Sequence, residues 1–195
     1  LQYKLTSAKP SMANMLNITD ASQPLLVVQG NPQLQRTIHH TFRLAYRIPT
    51  GKARTGLYYQ IYYEIYRNMV SQGMSYDIAT GITTIRPYNV NGNWNFATSL
   101  NYTQVLDKRN RWTLNAIAIG EWRNSVEMIN DVQSAQPYRS SVRNFSPELS
   151  VKGTYRKDFT EVTLRTRVSW QYLTSPRSGF ETVDARNVSL SGNLQ

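Results

Sequence analysis

Trp94-Asn95-Phe96-Ala97-Thr98-Ser99-Leu100-Asn101-Tyr102 is the stretch that decides the fold: Trp94, Phe96, Leu100 and Tyr102 alternate with Asn95, Ala97, Ser99 and Asn101. Successive side chains of a strand point to opposite faces, so one face of this segment is apolar and the other polar. The pattern recurs upstream. Ile38, Phe42, Leu44, Tyr46 and Ile48 stand against His39, Thr41, Arg43 and Arg47. Leu57, Tyr59, Ile61, Tyr63 and Ile65 stand against Tyr58, Gln60, Tyr62 and Glu64. Downstream, Trp112, Leu114, Ala116, Ala118 and Trp122 oppose Thr113, Asn115, Glu121 and Arg123, with Ile117 and Ile119 interrupting the polar side. Leu149, Val151, Gly153 and Tyr155 oppose Ser150, Lys152, Thr154 and Arg156. Val162, Leu164, Val168 and Trp170 oppose Thr163, Arg165, Arg167 and Gln171.

With strand-like runs at residues 1–6 and 187–195, eight strands are expected, one of them running from near Ile82 to Leu106 with a break at Pro87. The connections alternate in length. Long ones fall at 8–35, 70–80, 127–143 and 174–184, and short ones at Pro49-Thr50-Gly51-Lys52, Asp107-Lys108-Arg109-Asn110 and Lys157-Asp158. In an up-and-down meander every long connection then lies at one end of the sheet, the arrangement of membrane barrels with short periplasmic turns and long outer loops. A soluble sandwich crosses between two sheets and has less reason to keep the alternation. The expected fold is therefore all-β: an antiparallel up-and-down transmembrane β-barrel in the outer membrane, with these strands forming part of a larger barrel. Residues 1–195 are read as one barrel domain cut through strands at both ends.

Composition is consistent with that fold. The mean hydropathy of −0.50 leaves no room for a helix of about 20 apolar residues. Barrel strands do not need one, since half of each is polar. Thirteen tyrosines and four tryptophans against five phenylalanines favour rings that sit where lipid meets water. Cysteine is absent, which removes disulfides and thiolate metal ligands. The net charge of +10 raises nucleic acid as a partner, but the basic residues are spread singly along strands and turns, so none is expected.

Gln23-Pro24-Leu25-Leu26-Val27-Val28-Gln29-Gly30-Asn31-Pro32-Gln33-Leu34, followed by a strand, resembles a motif of Bacteroidota outer-membrane β-barrels of the TonB-dependent-receptor-like superfamily. Lys9-Pro10-Ser11 and Asn89-Val90-Asn91-Gly92-Asn93-Trp94 resemble loops of the same family, and the pattern covers nearly the whole chain. Where the family often carries a second proline soon after this motif, Gln35-Arg36 stand here, and neither a plug domain nor a TonB-interacting box is visible. The resemblance implies uptake of a nutrient by a receptor, with TonB and a surface lipoprotein as partners through other parts of the protein. A barrel that anchors surface proteins without transport, and a soluble glycan-binding sandwich, are the competing readings. Gly30-Asn31-Pro32 reads as architecture, a sharp turn in which Pro32 fixes its own φ and restricts Asn31.

Arg43, Arg47, Lys152, Arg165 and Arg167 fall on polar faces and are expected to project into the lumen. A basic lining there attracts anionic solutes or docks a plug; the plainer reading pairs these charges with acids on strands beyond this chain. Tyr59, Tyr63, Trp94, Tyr102, Trp112, Trp122 and Trp170 fall on apolar faces as membrane-interface aromatics. His39 and His40 are adjacent on a strand and cannot chelate one metal together. The twelve acids are scattered and no Gly-x-Ser-x-Gly elbow is present, so neither enzymatic chemistry, a metal nor a cofactor is expected.

Overall fold

The computed structural model describes residues 1–49, 55–129, 137–177 and 179–194. In chain order the elements are β1 (Gln2–Ala8), α1 (Met12–Met15), β2 (Thr19–Gln23), β3 (Leu26–Gln29), β4 (Thr37–Pro49), β5 (Gly56–Arg67), β6 (Met69–Tyr76) and β7 (Thr83–Val90). β8 (Asn93–Val105), β9 (Trp112–Ile129), β10 (Tyr138–Lys157), β11 (Thr160–Thr174) and β12 (Val183–Leu194) follow. Eight of the strands form one antiparallel meander in the order β1-β4-β5-β8-β9-β10-β11-β12. β1 and β12 are its two edges and do not pair with each other, as fits part of a wider barrel. No helix among the described residues is long and apolar enough to cross a membrane, which says nothing about crossing by strands.

Register carries the sequence alternation across the whole sheet. Tyr3 pairs with Phe42, Phe42 with Tyr63, Tyr63 with Phe96, Phe96 with Trp122, Trp122 with Phe145, and Phe145 with Tyr172. Seven strands thus contribute one aromatic ring each to a single cross-strand row. In its first half neighbouring ring centroids lie 4.8 Å apart for Tyr3 and Phe42, 6.4 Å for Phe42 and Tyr63 and 6.3 Å for Tyr63 and Phe96. A one-residue slip anywhere would turn a strand's rings to the polar side, so the row fixes the register. The apolar face it belongs to is uncovered: Leu100, Leu149, Leu164, Val168 and Leu190 are all exposed. Among the described residues the buried aliphatic side chains are Leu34, Val90, Val105 and Val126, with Pro87 beside them. A water-soluble chain of this length would bury far more, and a sandwich would hide these faces between its sheets. Lipid is the environment that satisfies them.

On β9 the rings Trp112 and Trp122 are ten residues apart on one face, as are Tyr155 and Phe145 on β10. At about 3.3 Å per residue and a tilt of about 40°, that spacing spans about 25 Å, the height of a barrel's apolar band. Leu114, Ala116, Ala118, Leu149 and Val151 fill the interval.

The long connections hold structure that alternation alone does not announce. Residues 8–35, expected as irregular, contain α1, β2 and β3, and the connection expected at 70–80 is occupied by β6. β2, β3, β7 and β6 make a second, four-stranded sheet in which β3 and β7 run parallel. The single strand expected from Ile82 to Leu106 is therefore two strands in two sheets. The break is not at Pro87, which lies inside β7 opposite Gln72, but at Asn91-Gly92, where Gly92 takes φ +103°. β9 and β10 also run further than expected, to Ile129 and from Tyr138, into the stretch expected to be a loop at 127–143. Pro147 sits within β10, where the pairing to β11 skips between Phe145 and Glu148. The turn expected at Pro49-Thr50-Gly51-Lys52 falls largely outside the described residues.

Candidate functional site on the polar face and its outer rim

The polar face of the meander is the one a barrel turns inward. Near the end of β5 that leads into β6, Glu64 accepts from His39 Nε2 at 2.7 Å and from the Tyr62 hydroxyl at 3.1 Å. Asn95 Nδ2 lies 3.5 Å from the other carboxylate oxygen. His39 stacks on Tyr66 with centroids 4.3 Å apart and planes 8° from parallel. These contacts follow from register, since Thr41 pairs with Glu64, Glu64 with Asn95, and His39 with Tyr66. Beside them lies a concavity of about 330 Å³ whose lining includes Glu64, Tyr66, Asn95 and Arg123. Asn95 Oδ1 is buried there without a hydrogen-bond partner among the described residues. A buried acceptor left alone is costly, and this one lies behind the wall of the hollow. Arg123 is tied to Glu121 at 2.5 Å on the same strand. The hollow therefore presents an acid, a base, an amide and an aromatic ring together.

His40, by contrast, lies on the apolar face, where its Nδ1 is 2.9 Å from the Tyr3 hydroxyl. The two histidines point apart, and among the described residues no group of three or more His, Asp or Glu could hold a metal.

Arg43, Arg47, Lys152, Arg165 and Arg167 all occupy the polar face. They are not brought together: Arg43 and Arg47 sit on β4, the other three on β10 and β11. Arg167 bonds Glu148 on the adjacent strand at 3.1 Å. Its acid is thus supplied by this chain, not by strands beyond it. Arg43 lies 3.4 Å from Gln60 Oε1, and Arg47 stands over the Tyr58 ring at 5.6 Å. Lys152 and Arg165 face each other directly across β10 and β11, with Arg165 Nε donating to Ser150 Oγ at 3.2 Å. They form the like-charge pair of the lining, and neither takes part in an ion pair among the described residues.

The seven candidate interface aromatics lie on the apolar face. Trp94 and Trp122 meet edge to face at 5.4 Å and Trp112 packs on Tyr155 at 4.6 Å. Trp94 and Trp112 stand at the starts of β8 and β9, whereas Trp122 lies well inside β9, further from a strand end than Tyr59 and Tyr63 are in β5.

Sequence reasoning singled out Gly30-Asn31-Pro32 as an architectural turn but missed the other residues that join the two sheets, most of them asparagines. Asn31, 8 % exposed, donates through Nδ2 to the Pro87 carbonyl at 2.9 Å and accepts through Oδ1 from Gln33 N–H at 3.1 Å. Its own N–H reaches the Asn14 carbonyl at 2.7 Å. Gly30-Asn31-Pro32 is thus the pin that fastens the α1 segment to β7. A Cβ on Gly30 would collide with the Leu16 carbonyl. Asn89 Oδ1 accepts from Gln35 N–H at 2.7 Å, and its Nδ2 donates to the carbonyls of Gln35 and Asn68. Asn91 Oδ1 accepts from Asn68 N–H at 2.8 Å. β9 outruns β8, which leaves backbone groups of β9 open, and side chains complete the ladder. Asn93 accepts from Val126 N–H at 2.7 Å and lies 3.4 Å from the Val126 carbonyl, and Ser71 Oγ accepts from Met128 N–H at 3.1 Å. The readable signal was Asn89-Val90-Asn91-Gly92-Asn93, three asparagines around a glycine.

A model described as an outer membrane protein beta-barrel family matches residues 1–188. The chain belongs to this family. No curated protein and no solved structure matches it. As an outer-membrane barrel, the protein places its exposed apolar face in lipid and its polar face on the lumen. The α1 segment and second sheet then lie at the end carrying the long connections, the cell exterior.

Proposed function

We propose that this barrel is the wall of a receptor of the TonB-dependent type that takes up a nutrient from outside the cell. The observation that carries the reading is the polar hollow by Glu64, Tyr66, Asn95 and Arg123, on the lumen side and towards the outer end. Mixed donors, acceptors and a ring suit capture of a polar solute. The Arg43, Arg47, Lys152, Arg165 and Arg167 lining would favour an anionic one. An energy-coupling partner such as TonB and a surface lipoprotein would engage other parts of the protein. The reading assigns no covalent chemistry, no cofactor and no nucleic acid to these residues.

The test is uptake of labelled candidate solutes by cells with and without the gene, with and without a proton-motive force. Uptake that needs both gene and gradient, and that weakens in Arg123→Ala, supports the reading. Uptake indifferent to the gene sinks it. The competing reading, a barrel that anchors a surface protein, draws on the outer sheet, whose β2 strand is exposed throughout. Capture of one stoichiometric surface protein, without gene-dependent uptake, would favour it.

A further inference from the structure

A second concavity, of about 360 Å³, opens on the opposite, lipid-facing side and is lined by Trp122, Arg143, Phe145, Tyr172 and Thr174. Trp122, Phe145 and Tyr172 belong to the cross-strand aromatic row, and Arg143 and Thr174 pair with each other one step further out. The three rings lie ten residues from Trp112, Tyr155 and Val162 on the same strands, which puts them at the outer limit of the apolar band. The groove is therefore apolar below and cationic at its upper margin. Arg143 takes part in no ion pair among the described residues. Close by on the same side, Arg186 of β12 lies over the Trp170 ring at 5.7 Å but is already paired with Asp184 at 3.4 Å, which leaves Arg143 as the cation at the groove's own margin. A guanidinium facing lipid is expensive within the band but favourable at its edge, where an anionic group can meet it.

We propose that this groove seats an acyl chain of a phosphate-bearing glycolipid of the outer leaflet, whose phosphate is bound by Arg143. Charge complementarity selects this occupant over a neutral or zwitterionic lipid: the rings take any chain, but only an anionic headgroup matches the guanidinium at the margin.

The experiment uses the full-length protein in nanodiscs of phosphatidylethanolamine with bisphosphorylated lipid A, and counts retained lipids by native mass spectrometry after detergent exchange. One tightly retained lipid A per protein is expected. Arg143→Glu should lower its retention about ten-fold, the loss of one charge-assisted hydrogen bond. Phosphatase-treated lipid A should be lost to a similar degree, and Lys157→Glu at the opposite end of β10 should change nothing. Arg143→Gln, which adds no negative charge, guards against misfolding of the first variant and should show the same direction of change. Retention unaffected by either Arg143 variant would overturn the proposal. So would equal retention of phosphatidylethanolamine, the mark of ordinary annular lipid, or displacement by millimolar inorganic phosphate, the mark of a simple anion site.

Discussion

Single side chains at the outer rim do the work that backbone does elsewhere. Asn93, 6 % exposed, satisfies the Val126 N–H where β8 has ended. Asn93→Ala should strand that buried donor and destabilise the barrel by about 1–3 kcal/mol, read from denaturant unfolding in lipid vesicles. An unchanged midpoint would show that water replaces the amide. Gly30→Ala should act differently, because the added methyl meets backbone at Leu16 and not a movable side chain. Hydrogen exchange is expected to rise across residues 12–34 while the membrane strands keep their protection; uniform protection would refute the pin. Asp77 gives a pH test at the tip between β6 and β7. The Thr80 hydroxyl, helped by the Ala79 N–H, holds its carboxyl below the ordinary 3.8. A depressed folded pKa means stabilisation that is present above about 3.8 and is lost as pH falls through the lower folded value. Exchange at 77–82, corrected for intrinsic rate, should therefore quicken only below about pH 4. Asp77→Asn should remove that dependence.

At the scale of the strands, the two faces obey different solvents. Leu149 on β10 is 49 % exposed and lies inside the apolar band, whereas Ser99 on β8 faces the lumen between Gln60 and Ile119. Leu149→Arg should cost about 2–4 kcal/mol in lipid, and Ser99→Arg should cost far less, since water and polar neighbours solvate it. Equal costs would mean that the faces have been assigned the wrong way round. Both assignments were legible in the period-two pattern, because alternation is a property of one strand and needs no partner. Strand extent was not. β9 and β10 continue to Ile129 and from Tyr138 because each pairs with the other beyond the membrane, and pairing leaves no mark on either strand alone. Pro147 and Pro87 stand in strands for a related reason: the neighbouring pairing skips at the first, and the second turns its carbonyl to Asn31. Ile117 and Ile119 read as interruptions, yet the register keeps both on the lumen face beside Asn101 and Ser99.

As a whole, the molecule is a wall whose described residues bury only four large apolar side chains, Leu34, Val90, Val105 and Val126. Its apolar face carries exposed side chains on seven of the eight strands of the meander, β5 being half-buried, and both edges β1 and β12 offer open backbone groups. In plain buffer the chain should aggregate, and a cooperative strand signal in circular dichroism should appear only with detergent or lipid. A monodisperse monomer without either would contradict the membrane assignment. The sequence by itself determined the class of fold, the sides of the sheet and the end that bears the long connections, because each follows from local periodicity and turn chemistry. Only the tertiary structure decided that residues 19–29 and 69–90 build a second sheet, since its β3–β7 contact is parallel and joins strands more than 50 residues apart. It alone also decided that Glu64, His39 and Asn95 converge, and that Arg167 finds Glu148. Those contacts depend on register between strands, and register is set by the aromatic row and the asparagine links acting together, not by any segment read alone.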